Sequence, residues 1–270
     1  MSCYYCEKPA TGMEHVPPQS FFIKGQRDGL ISVPSCDVHN QQKSKDDEYV
    51  RAVLLSSAKL DGKEQLAPLF EVHLRALNRA GEQIPGRLKN EEDFQKFLEI
   101  EEKFKDDHAA GMKSFSELAQ AGIGTGLLGL LSVDYRDEVI FDNDGNEQQT
   151  ISYAFDTKRF NNFFKSMAKG LFFHEADWAW LGKVVLLPHS FLREEASEDE
   201  KFISKHYSSQ LVRDDAKGDH KDVFYYDVGT ELDSSGKEIL RYVVNFCLYD
   251  TFEFTALLES KYFVASPEPR

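Results

Sequence analysis

Two cysteine-rich pairs carry the strongest chemical signal in this chain. Cys3 and Cys6 are spaced C-x2-C, and Cys36 with His39 is spaced C-x2-H. Each pair can bite one metal from a tight turn, and together they offer the four soft or borderline donors of a tetrahedral zinc site. A disulfide is one competing use of such thiols, and burial as small apolar side chains is another. A reducing cytoplasm disfavours the first, and the second does not explain two matched pairs flanked by turn formers. A closed Cys3/Cys6/Cys36/His39 site would convert metal-binding free energy into folding free energy. Cys247 stands apart, in an apolar run from Val243 to Leu248, and reads as a core thiol.

Between the pairs lies Glu14-His15-Val16-Pro17-Pro18-Gln19-Ser20-Phe21. The second pair continues through Asn40 and Lys43 into a helix starting near Asp46, with Tyr49, Val50, Val53 and Leu54 on one face. The pattern is two short strands or turns around a metal, followed by a helix. On these residues the segment resembles an HNH endonuclease, from the zinc-containing branch of the His-Me finger (ββα-metal) nucleases. Members of that branch carry a C-x2-C knuckle, an acid-His-x-x-Pro catalytic strand, and a second C-x2-C/H followed at once by His or Asn. The resemblance covers about residues 1–55, about one fifth of the chain.

The resemblance implies a role for each matching residue. His15 is the general base, since a neutral imidazole with pKa near ~6.5 can take a proton from water attacking phosphorus. Glu14 stands where the family usually has Asp, as a ligand of the catalytic divalent ion, and Asn40 completes that site. A hard cation, Mg²⁺ or Mn²⁺, would polarise the phosphate and stabilise the leaving oxygen. Lys43 matches a basic position that contacts phosphate, and a solvated lysine at a helix start is the alternative reading. One feature departs from the family: its middle Asn orients the loop carrying the base, yet Asn40 is the only asparagine in the first forty-five residues. Gln19, Asp28 or backbone groups can supply equivalent hydrogen bonds.

These residues need a scaffold, and 270 residues with 41% hydrophobic content can build one. The net charge of −14 disfavours a generally nucleic-acid-binding surface. Residues 1–60, however, hold seven acids and seven bases, so the whole excess lies beyond residue 60. Any nucleic-acid contact must therefore be local, or helped by a partner. No apolar stretch approaches the ~20 residues of a membrane span, and the N-terminus lacks a basic start and an apolar core, so a cytoplasmic protein is expected.

The expected fold class is α+β in three parts. Residues 1–60 form the zinc-finger-like ββα-metal nuclease module, 61–133 an acidic helical connector, and 134–270 an α+β domain with a mainly antiparallel sheet. In the connector, 63–80 has helical spacing interrupted by Pro68, and Asn90 can cap an acidic helix with Phe94, Phe97, Leu98 and Phe104 in a stripe. Gly124–Gly129 fits G-x-G-x-x-G but lacks the preceding strand of a dinucleotide site, and reads as a small-residue loop at a boundary. Beyond it, Glu138–Phe141 and Thr150–Phe155 flank a turn at 143–146, and Asp156 or Thr157 can cap a helix to about Leu171. On that helix Phe160, Phe163, Phe164, Met167 and Leu171 fall on one side. Lys158, Asn162, Lys165 and Lys169 fall on the other, a basic stripe that can track a DNA backbone or balance the acidic helices. Strands at Asp222–Val228 and Glu238–Leu248 follow, joined at Ser234-Ser235-Gly236, and the tail 266–270 reads as frayed.

The first expectation for function is a metal-dependent endonuclease cutting double-stranded DNA, with restriction or antiphage defence as the context the resemblance implies. The C-terminal domain would provide placement, homodimerisation or contact with an activating protein partner. The alternative is a non-catalytic zinc-knuckle adaptor binding nucleic acid or protein. Retention of Glu14, His15 and Asn40 together opposes the adaptor, and the missing middle Asn favours it.

Overall fold

The computed structural model describes residues 1–41, 44–60, 62–82, 91–92, 95, 98–99, 102, 133–141, 147–154, 156–191 and 197–259. Lys43, most of the Asn90-capped acidic helix, the Gly124–Gly129 loop, the 143–146 turn and the C-terminal tail lie outside these residues. The fold is α+β with antiparallel sheets throughout, as expected. Two compact units are formed: Met1–Glu48 with Ala58–Leu66 and Asn161–Arg270, and Tyr49–Ser57 with Ala67–Phe160.

In the first unit, strands β1 (Gly12–His15) and β2 (Ser32–Ser35) pair antiparallel, with Gly12 opposite Ser35 and His15 opposite Ser32. The short helix α1 (Asp37–Gln41) follows β2 directly, and α2 (Ser44–Leu55) begins soon after. The chain thus runs strand, strand, helix through its first forty residues. Knuckle residues 3–6 attach to this hairpin through Tyr4, whose N–H donates to the Pro34 carbonyl at 2.8 Å.

The second layer of that unit is a four-stranded sheet in the order β5-β8-β7-β6, from β5 (Val184–Pro188), β6 (Phe224–Leu232), β7 (Ile239–Leu248) and β8 (Phe252–Glu259). Strand alternation sorts its side chains onto two faces. Tyr242, Phe246 and Phe254 meet one long helix, α4 (Thr157–Ala176), whose Phe164 ring lies 3.9 Å from Phe254 and 6.0 Å from Phe246, centroid to centroid. Val243 and Leu257 meet Tyr207 of α5 (Glu198–Ser208) on the other face. Phe164 is fully buried, and truncating such a ring to Ala costs about 3–5 kcal/mol. Within the apolar stripe read from the sequence, Phe164 lies on the sheet and Phe163 stacks on Phe21. Cys247 is 1% exposed, and burial pushes its thiol pKa up to about 12, which fits an inert core residue.

Strands β7 and β8 join through Tyr249, Asp250 and Thr251, the first two with φ of 56° and 49°. Left-handed backbone at both gives the chain reversal its twist, closed where the Thr251 N–H donates to the Leu248 carbonyl at 3.1 Å. Neither residue is glycine, so the conformation needs outside support. Lys63 supplies it, donating from Nζ to the Tyr249 carbonyl at 2.8 Å and the Asp250 carbonyl at 3.0 Å.

In the second unit, helix α3 (Ala67–Glu82) places Pro68 in its first turn, where a missing N–H costs nothing. His73 of α3 is 5% exposed, with Nε2 at 3.2 Å from Ser56 Oγ. Strands β3 (Val133–Phe141) and β4 (Glu147–Ala154) form a hairpin longer than the sequence pattern indicated. Asp156 caps the start of α4, its Oδ1 accepting from the Lys158 and Arg159 N–H groups at 3.0 Å each. Among the described residues no helix is long and apolar enough to cross a membrane.

Candidate metal centre and the adjoining polar site

The knuckle forms because residues 3–8 fold back on themselves. Cys3 N–H donates to the Lys8 carbonyl at 2.7 Å, Glu7 N–H donates to the Cys3 carbonyl at 3.1 Å, and Glu7 takes a left-handed φ of 59°. The second pair sits where β2 ends and α1 begins, and a one-turn spacing brings Cys36 and His39 to the same side. The result is one cluster, with all four donor atoms within 4.8 Å of one another. Cys6 and Cys36 sulfurs are 3.8 Å apart, Cys3 Sγ lies 3.7 Å from His39 Nδ1, and Cys36 Sγ lies 3.3 Å from it. A tetrahedral zinc with bonds of about 2.3 Å to S and 2.0 Å to N separates its donors by about 3.5–3.8 Å. These residues can therefore hold a metal ion, and the donor set suits zinc.

The electrostatics agree with that use at two of the four donors and oppose it at Cys6, where burial pushes the thiol pKa up. Hydrogen bonding from the His39 backbone holds the Cys36 thiol pKa below its ordinary value, toward the thiolate that binds metal. Burial pulls the His39 imidazole down, toward the neutral form that ligates. All four cysteines are free thiols, so no disulfide competes.

Glu14 and His15 occupy the last two positions of β1. Glu14 is 8% exposed, and fully buried Tyr4 lies beside it; burial and then the Glu14 charge raise the Tyr4 phenol pKa well above normal. Alternation puts Glu14 on the side of β1 shared by Gly12, and a Cβ at Gly12 would come 3.7 Å from the Asn40 amide nitrogen. Glu14 and Asn40 therefore lie toward one side of the strand. His15 takes the other side, half-buried, with its ring tied at Nε2 to the Gln19 carboxamide at 2.7 Å. Its Nδ1 is buried and makes no hydrogen bond to a described residue. Gln19 belongs to a 3-10 turn, Gln19–Phe21, anchored where the Tyr249 hydroxyl donates to the Phe21 carbonyl at 3.3 Å. Gln19 is thus the side chain in contact with His15.

The basic stripe divides. Lys158 and Asn162 are exposed and Lys165 is half-buried. Lys169 is 9% exposed, with Nζ 4.2 Å from the centre of the Tyr5 ring. Wheel arithmetic placed it with the other polar positions, but the helix packs that position against the knuckle. Tyr5 itself stacks on His39 at 4.3 Å between ring centroids. Sequence reasoning missed Tyr4 and Tyr5, and their positions beside Cys3 and Cys6 were the available signal.

No protein-family model, curated protein or solved structure matches the chain.

Proposed function

We propose that this chain is an HNH-type endonuclease that hydrolyses phosphodiester bonds of double-stranded DNA, in a restriction or antiphage setting. The observation that carries this reading is the condition of His15. One ring nitrogen is held by Gln19 and the other is buried without a hydrogen bond among the described residues. A buried polar atom in that state costs about 1–3 kcal/mol, and it calls for an explanation such as catalysis or an ion or water site. The Gln19 amide nitrogen is the atom placed 2.7 Å from Nε2; with the carboxamide in its other orientation, carbonyl toward Nε2–H, Nδ1 keeps its lone pair and can accept a proton from the attacking water. The turn carrying Gln19 fixes the ring's direction, which the resemblance assigns to the absent asparagine.

Glu14 and Asn40 offer oxygen donors that suit Mg²⁺ or Mn²⁺ on the side of β1 away from His15, so one phosphate reaches both the ion and the imidazole only across the end of the strand. When bound, such an ion supplies charge stabilisation to the phosphate and its leaving oxygen. Lys158 and Lys165 are the remaining phosphate contacts on α4, and the acidic excess beyond residue 60 supports a protein partner or a second copy of the chain helping DNA to bind.

The adaptor reading draws on one observation, the burial of Glu14 against Tyr4, which gives that acid a structural use. Plasmid DNA incubated with the protein and Mg²⁺ or Mn²⁺ separates the two. Nicking or linearisation that disappears in His15→Ala, with zinc content unchanged, is the expected result. Equal cleavage by both proteins would remove His15 as the base, and no cleavage with or without candidate partners would favour the adaptor.

A further inference from the structure

We propose that Lys169 is the counter-cation of the Cys3/Cys6/Cys36/His39 centre, so that the strength of metal binding depends on helix α4. The inference rests on the metal centre and not on the nuclease reading. A divalent ion held by three thiolates and a neutral imidazole leaves one net negative charge, placed between side chains that are buried or half-buried. A charge in such surroundings needs a partner, because low dielectric removes the compensation that water would give.

Lysine is among the residues least often buried, yet Lys169 is 9% exposed. Its Nζ lies 4.2 Å from the Tyr5 ring centre, and that ring stacks on the ligand His39. Through that ring it adjoins His39 of one pair, and Tyr5 directly precedes Cys6 of the other. Lys8, two residues past Cys6, is exposed and screened by solvent. Lys169 is also held in place by the backbone beside it. A Cβ at Gly170 would come 2.7 Å from Val16 Cγ2, so the helix approaches the end of β1 as closely as a residue without a side chain permits. Outer groups of this kind typically change metal affinity by about 10–100-fold when removed.

The test is zinc affinity of the full chain, measured by chelator competition at a temperature where circular dichroism shows the proteins folded. Lys169→Met and Lys169→Gln are expected to bind zinc about 10-fold or more weakly, and Lys169→Arg within about 3-fold of wild type. Unchanged affinity in the Met and Gln variants would overturn the proposal. So would a loss in Lys169→Arg as large as in Lys169→Met, because charge would then not be the cause. If both uncharged variants fail to fold with zinc present, Lys169 acts in packing, and the proposal falls as well. None of these readouts involves DNA cleavage, so the nuclease reading stands or falls separately.

Discussion

The carboxamide of Gln19 stands 2.7 Å from Nε2 of His15, four residues along the chain. A strand end and the turn after it thereby grip one imidazole from two directions, the backbone of β1 and the side chain of the turn. Gln19→Ala is expected to lower plasmid cleavage by about 10-fold, less than the 10²–10⁴-fold that loss of a general base costs in His15→Ala. Zinc content and melting temperature should match wild type in both. A Gln19→Ala protein with full activity would show that the ring is oriented by something else.

The four metal donors should act as one structural element. Cys3→Ser and Cys36→Ser are each expected to lose stoichiometric zinc and melting temperature together, since binding free energy at such a site is folding free energy. Elemental analysis beside calorimetry checks this. Chelator treatment of wild type should reproduce the drop. Cys247→Ser, in contrast, should keep its zinc and lose only stability, because that thiol is buried in the sheet.

Gly170 and Val16 make a two-residue test of how the knuckle hairpin meets α4. Alanine ordinarily stabilises a helix relative to glycine by about 1 kcal/mol. At position 170 the new methyl would fall 2.7 Å from Val16 Cγ2, a side-chain carbon that cannot swing away freely. Overpacking of this kind costs about 1–3 kcal/mol, so Gly170→Ala is expected to lower the melting temperature. Adding Val16→Ala to that variant should recover part of the loss. A stabilising Gly170→Ala would mean that the approach is looser than described.

Acid should weaken the sheet through His189. Its Nδ1 lies 2.7 Å from Ser204 Oγ and its Nε2 2.8 Å from Thr255 Oγ1, and burial lowers its pKa from 6.5 to about 4. The folded form holds the ring neutral where the unfolded chain would protonate it. Between pH 6.5 and about 4 the unfolded state binds more protons, so stability rises with pH across that window and falls on acidification. Buried His73, lowered to about 4 by burial as well, adds in the same direction. Urea denaturation from pH 7 to 4 should show the decline, and His189→Gln should flatten it. An identical pH slope in the variant would assign the effect to other groups.

Local spacing made the metal centre readable in the sequence. Two residues between donors is a property of one turn, and Asn40 follows His39 directly. The stripe of Phe160, Phe163, Phe164, Met167 and Leu171 was readable for the same reason, since helix periodicity is written in consecutive residues. Lys169 was not, because its surroundings come from Tyr5, distant in sequence but adjacent in space. Gln19 could be named only as one option of three, since a hydrogen bond depends on a loop path that spacing does not specify. Strand β5 went unread because five apolar residues carry no clear period. The cap of α5 had a signature that was overlooked: Ser197 and Glu200 form reciprocal bonds across its first turn.

The rest of the metal-bearing segment's support comes from Phe163, Gly170 and Tyr249, all synthesised long after it. Synthesis runs from the N-terminus, so the ribosome releases Cys3 through His39 well before α4 and the β7–β8 hairpin exist. Cys3 through His39 can capture an ion early, but Val16 and Phe21 stay wet until α4 arrives, and Phe21 gains Tyr249 later still. A metal-held hairpin therefore waits, partly uncovered, for the helix and the turn that complete it.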